Sequence, residues 1–270
     1  MTDPILRVNG LCLDILSGGR TVPILRDVSF EIGLGERCGI AGESGAGKSM
    51  TMYCLTALLP RHTCAVRGEI LYREADGAYT DLLKLPWERR QRYCAEKTCL
   101  ILQDSINALN PFERVEAQWA ETARLRHPGG DRAARREHLL QMLEAFGIPG
   151  GLETLRKYPH QLSGGMRQRI AIAMALESEA KLLIADEPTT SLDTVNQRRV
   201  VEFIDNLRRE RDLSMLYITH NLGIIQAVCE NVIIMKDGGI VEQGRTREVF
   251  SRPKHAYAQR LLDETRRIQR

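Results

Sequence analysis

The stretch "ERCGIAGESGAGKS", Glu36–Ser49, limits the possible folds of this chain more than any other. A short apolar run ends at Gly42, and Gly42–Ser49 then fits the pattern G-x-x-x-x-G-K-[ST]. Glycines in such a loop let the backbone turn its N–H groups onto phosphate oxygens. Lys48 can then reach the outer phosphates, and the Ser49 hydroxyl can hold a divalent metal. The loop needs a strand before it and a helix after it, because the helix N-terminus adds free N–H groups and the positive end of a dipole. That helix is expected from about Gly47, with Met50, Cys54, Ala57 and Leu58 on its buried side and its end before Pro60. Gly42, Glu43, Ser44, Gly45, Ala46, Gly47, Lys48, Ser49 and Met50 form the candidate cradle for the phosphates of a nucleotide.

Two more apolar runs end on polar residues. "KLLIADE", Lys181–Glu187, ends on two carboxylates, and "LSMLYITH", Leu213–His220, ends on a histidine. Short apolar runs separated by helical stretches read as parallel strands, so an α/β fold is expected. Open parallel sheets bind ligands at the carboxyl ends of their strands, which brings these three ends to one site. Asp186 is then a candidate metal ligand, and Glu187 a candidate base for an attacking water. An imidazole at His220 can bond the terminal phosphate or that water. Gln103, after the run "CLIL", can touch both metal and water. "VSFEI" (Val28–Ile32) and "GEILY" (Gly68–Tyr72) read as antiparallel strands.

Residues from about 113 to 160 have a different pattern. "ERVEAQWAETARLRH" and "RAARREHLLQMLEAFGI" are helical, with Leu139, Met142, Leu143 and Phe146 on one face. A helical subdomain inserted in the α/β core is expected. The tail "AYAQRLLDETRRIQR" reads as a basic helix. Next to the insert stands "LSGGMRQR", Leu162–Arg169, where a helix opens on Ser-Gly-Gly and so offers a second anion-binding end. Its apolar side runs through Ile170, Ala173, Met174 and Leu176. A helix start in the insert lies far from its own phosphate loop. Two chains facing head to tail would let each give that end to the other's terminal phosphate.

Taken together, these residues resemble the ATPases of ATP-binding cassette (ABC) transporters. "GESGAGKS" matches the Walker A motif, "LSGGMRQR" the ABC signature and "LLIADE" Walker B; "SLD" (Ser191–Asp193) matches the D-loop, Gln103 the Q-loop and His220 the switch histidine, in the family's order. The resemblance implies an α/β P-loop NTPase (RecA-like) core, an antiparallel β-subdomain and an inserted helical subdomain. Residues 1–270 would be one ABC ATPase domain, about 1–103 and 168–270 forming the core and about 104–167 the helical part. It implies ATP and Mg²⁺ as cofactors, with Ser49, Gln103 and Asp186 toward the metal, and Glu187 and His220 as catalytic residues. It also implies contacts from Ser163, Gly164, Gly165, Gln168 and Asp193 to ATP across a dimer.

"ILQDSINALNPF", "DEPTTSLDTVNQRR" and "GGIVEQGRTREVFSRPKHAYAQRLL" are similar to the peptide/nickel/opine importer ATPases. Dipeptide and oligopeptide members usually continue further, some with a cysteine-bearing extension. Here the sequence stops at Arg270 and the last cysteine is Cys229, which points toward the nickel or opine-metallophore branch. The expected partners are a second ABC ATPase, a paralogue of this one, together with two membrane permeases and an extracytoplasmic solute-binding protein. The region around Gln103–Ala117 and the helical insert would receive a cytoplasmic helix of a permease. The family stacks adenine on an aromatic residue ahead of Walker A, yet Leu11–Ser29 contains no Phe, Tyr, Trp or His, leaving Leu16 or Arg20 to pack on the base.

Composition narrows the alternatives. Net charge is +3, and the arginines cluster in helical stretches (89–92, 132–136, 208–211), which reads as solvated helix faces and no nucleic-acid partner. Seven cysteines without a CxxC pair suit a reducing compartment; Cys94 and Cys99 lack the further ligands of a metal site. No run approaches the roughly 18 apolar residues of a membrane span, and "MTDPILRVNG" is unlike a secretory signal. The expected place is the cytoplasmic face of the inner membrane, held there by partners. The rivals are a soluble ABC ATPase serving a cytosolic enzyme complex, such as one that cleaves phosphonates, and a simple phosphate-loop kinase.

Overall fold

The computed structural model describes residues 3–102, 108–126, 131–176, 180–189 and 194–268. At its centre is a six-stranded sheet in the order β10-β9-β3-β8-β7-β6. These strands are β3 (Arg37–Ala41), β6 (Thr98–Ile101), β7 (Leu182–Asp186), β8 (Ser214–Ile218), β9 (Asn231–Lys236) and β10 (Gly239–Arg245). All neighbours run parallel except β9 and β10. Every residue of β7 and β8 is buried, as expected of parallel strands covered on both faces. Their side chains divide strictly by parity. Leu182, Ile184, Leu216 and Ile218 enter one core, and Leu183, Ala185, Met215 and Tyr217 the other.

The first core is closed by a four-stranded antiparallel sheet, β2-β1-β4-β5. It comprises β1 (Pro4–Ser17), β2 (Arg20–Gly33), β4 (Cys64–Arg73) and β5 (Tyr79–Asp81). "VSFEI" and "GEILY" lie within β2 and β4, and both strands extend well beyond those segments. β1 and β2 turn through Gly18 and Gly19, at φ 56° and 74°, the left-handed pair that a two-residue hairpin of this hand requires. The sequence pattern does not announce β1. Its pairing with β2 shifts register between Val8 and Leu11 and again between Leu11 and Leu13, so strict alternation is lost.

Helix α1 (Lys48–Leu55) runs from the phosphate loop into this core. The expected stripe needs correction. Ala57 takes φ 53°, so the helix stops at Leu55, well before Pro60. Leu58 is then 48% exposed, whereas Cys54 and Ala57 are buried as expected, together with Thr51, Met52 and Leu55.

The second core gathers helices α3 (Val115–Arg126), α4 (Arg132–Ala145), α5 (Gly151–Arg156) and α6 (Gly164–Ala175), whereas α2 (Trp87–Lys97) buries Cys94 in the first core. Of these, α3, α4 and α5 pack on one another, and α6 meets α3, α4 and β6. Leu139, Met142, Leu143 and Phe146 are all buried there with Trp119, as their spacing predicts. The expected boundary between 167 and 168 falls inside α6, which is continuous across it. Helices α7 (Thr194–Arg211), α8 (Leu222–Val228), α9 (Thr246–Ser251) and α10 (Ala256–Ile268) complete the chain. Among the described residues no helix is long and apolar enough to cross a membrane.

Candidate nucleotide site

Strands β3, β8 and β7 are neighbours, and Asp186 pairs with Ile218 in register, so their carboxyl ends lie side by side. From the end of β3 the chain enters the glycine loop. Gly47, at φ 101°, caps α1 without a side-chain bond, leaving the first N–H groups of the helix to a ligand. A methyl group on Gly47 would stand 2.8 Å from Leu25 Cδ2. One on Gly42 would stand 2.4 Å from the Met235 carbonyl oxygen. Both glycines are required because the loop is pressed against β2 and β9. Tyr257 pins it further, its hydroxyl accepting from Glu43 N at 3.1 Å.

Lys48 is buried, and its Nζ donates to the Gly42 and Glu43 carbonyls at 2.9 Å each. Burial lowers its pKa, against the pull of the Glu187 and Asp186 charges. The Ser49 hydroxyl donates to Asp186 Oδ1 at 3.4 Å. Burial raises the pKa of Asp186; the Ser49 bond opposes this, Glu187 adds to it and Lys48 opposes it. A hydroxyl and a buried carboxylate this close are hard oxygen donors, the set that Mg²⁺ takes alongside phosphates and water. The residues therefore fit the ion, and Ser49 and Asp186 would hold it.

Glu187 leaves β7 at φ 46°, a conformation that costs a non-glycine residue about 1–3 kcal/mol. The turn is held from three sides. Glu187 N donates to the Ile218 carbonyl at 2.8 Å, Gln168 Nε2 to Pro188 O at 2.8 Å, and Gln197 Nε2 to Thr189 O at 3.2 Å. In this pose both Glu187 carboxylate oxygens lie 2.8 Å from His220 Nδ1. The histidine side chain is 60% exposed and that of Glu187 11%. A cavity of about 700 Å³ opens over the loop, reaching Ser44, Lys48, Ser49, Met50, Glu187 and His220. Ile24 of β2 lines it, whereas Leu16 and Arg20 do not. Ile24 follows no motif; only the fold of β2 over the loop brings it there.

The signature residues lie elsewhere. Ser163 caps α6 by accepting from Met166 N at 3.2 Å, and a methyl on Gly164 or Gly165 would meet nothing. None of the three lines the cavity over the phosphate loop. Gln168 is 3% exposed and its side-chain amide donates to the Pro188 carbonyl, so it ties α6 to the turn at Glu187. Gln103 and Asp193 lie outside the described residues.

The ABC transporter family model matches residues 25–190. The chain belongs to this family. It is 40% identical over 267 residues to the dipeptide transport ATP-binding protein DppD of Bacillus subtilis, covering 98% of this chain and 78% of that one. Against the oligopeptide transport ATP-binding protein OppD of Salmonella typhimurium it is 38% identical over 268 residues, with 98% and 77% covered. Among solved structures, cbiO1 of Clostridium perfringens, part of the ABC transporter complex cbiONQ, superposes at TM-score 0.75 with 26% identity, covering 93% and 92%. A dimeric cassette, MJ0796 bound to ADP and Pi, shares the fold at TM-score 0.73 and 22% identity. The fold is thus that of a P-loop NTPase, and the chain is an ATPase of the ABC family.

For such an ATPase the buried charge of Asp186 has a testable cost. Its pKa is raised on folding, so the folded state favours the protonated form. The stability linked to this group is complete at low pH and is lost as pH rises through the raised pKa. Asp186→Asn keeps the shape without the charge. It is expected to raise the melting temperature at pH 7, with the gain shrinking toward acid pH, while Mg²⁺-dependent hydrolysis is lost. Melting curves at several pH values with a parallel phosphate-release assay check both. A lowered melting temperature at pH 7 would contradict the assignment.

Proposed function

We propose that this chain is the ATP-hydrolysing subunit of a bacterial importer, working as one half of a cassette dimer against two membrane permeases served by a solute-binding protein. The reading rests on one observation: the helix end that carries Ser163, Gly164 and Gly165 is open, yet it does not line its own chain's nucleotide cavity. A second cassette, a paralogue or another copy, would receive it at its own terminal phosphate. Each chain then contributes half of two sites. Peptide is the proposed cargo class, on the printed names of the dipeptide and oligopeptide relatives; a nickel or opine-metallophore cargo lacks such support. The proposed place is the cytoplasmic membrane face, held by the permeases.

In this reading Lys48 and the first N–H groups of α1 bind the β- and γ-phosphates. Mg²⁺, when bound, neutralises phosphate charge. Glu187 takes the proton of the attacking water, and His220 holds the carboxylate and the terminal phosphate in line. Ser163→Arg fills the open helix end with a bulky cation. Cleavage should fall at least about tenfold in the opposite site, while ATP binding by the mutant's own phosphate loop stays near normal. Mixing this variant with an intact partner and following hydrolysis of nucleotide crosslinked at each loop reads the two sites apart. A defect confined to the mutant's own site would sink the head-to-tail reading.

A further inference from the structure

The nucleotide cavity lies at the carboxyl ends of the parallel strands. A second cavity, of about 720 Å³, lies at their opposite ends. It is bounded by Arg37 at the start of β3, Glu230 just before β9, the run Arg245-Thr246-Arg247 where β10 passes into α9, and Phe250. Its volume is in the range of small-molecule sites. Three arginines meet one glutamate there, and that glutamate is already committed. Glu230 accepts from Arg37 Nη2 at 2.9 Å and from the Arg37 backbone N–H at 3.4 Å. Arg37 also lies 3.7 Å from Asp205, which is itself engaged by Arg208 and Arg209.

Two cations remain. Arg245 and Arg247 are exposed and make no ion pair or hydrogen bond among the described residues. Thr246 is 3% exposed, and its hydroxyl has no hydrogen-bond partner; Arg37 Nε is likewise buried and unpaired. Both atoms are closed off from the cavity by their neighbours, so the groups open to a ligand there are the guanidinium groups of Arg245 and Arg247. Arginine forks suit a doubly charged oxyanion.

We propose that this cavity is a second anion-binding site, which takes a small molecule bearing a phosphate or paired carboxylates. It is separate from the phosphate loop and does not depend on dimer formation. Strand β3 links the two, running from Arg37 in this cavity to Ala41 beside Gly42. An occupant would therefore sit one strand length from the nucleotide.

The test uses the full chain carrying Lys48→Ala, which disables the phosphate loop, and titrates it calorimetrically with pyrophosphate and, separately, with succinate. Saturable binding of one equivalent of either is expected, and the probe that binds tells a phosphate ligand from a dicarboxylate. Arg245→Ala with Arg247→Ala should weaken that binding at least about tenfold. Should the double variant not fold, Arg247→Gln alone carries the same test. Absence of saturable binding by both probes, or binding that the arginine substitutions leave unchanged, overturns the proposal.

Discussion

Glu187→Gln is expected to bind ATP with near-normal affinity and to hydrolyse it at least about two orders of magnitude more slowly, the usual contribution of a general base. The substitution keeps the shape of the side chain and its hydrogen-bonding reach, so the turn held by Ile218, Gln168 and Gln197 should persist. What is lost is basicity and the charge that pairs with His220 Nδ1 at 2.8 Å. ATP should then accumulate uncleaved, and in the assembled complex a closed, ATP-loaded dimer should build up. Single-turnover hydrolysis with an equilibrium binding assay separates the two effects. Normal turnover in Glu187→Gln would move the base to His220 or to solvent.

Lys48→Ala is expected to remove nucleotide binding at working concentrations, and turnover with it. A charge-assisted hydrogen bond contributes about 1.5–3 kcal/mol, so losing even one costs about 10- to 150-fold in affinity. Among the described residues Lys48 is the one cation lining the cavity over the loop. The fold should tolerate the change. Burial already lowers the pKa of this lysine, a sign that its charge is costly to bury, and the loop is pinned separately by Tyr257 and by the approach of Gly47 to Leu25. A melting temperature close to that of the unaltered chain, combined with failure to bind a fluorescent ATP analogue, is the expected pair of results. Tight binding by a folded Lys48→Ala chain would overturn the assignment.

The phosphate cradle was legible because its chemistry is contiguous. Gly42–Ser49 carries its glycines, lysine and hydroxyl within one loop, and local backbone geometry makes them a unit. Asp186, Glu187 and His220 were legible for a related reason: each ends a fully apolar run, and parallel sheets gather such ends. The failures have equally local causes. The register shifts of β1 break the alternation by which a strand is recognised, and the left-handed Ala57 ends α1 where apolar spacing alone would continue it.

By itself, then, the sequence determined the strand-loop-helix unit, the carboxylate and histidine strand ends, the helical insert and the family. Only the tertiary structure decided which groups meet across long separations. Ile24 reaches the nucleotide cavity because β2 lies over the phosphate loop, and Glu187 meets His220 because β7 and β8 pair in register. Arg37, Glu230 and Arg245–Arg247 converge because β3, β9 and β10 are neighbours with β10 reversed. Motifs are read along the chain, where bonded geometry limits the choices. Contacts between distant segments depend on strand order and register, which are set by how the two cores pack.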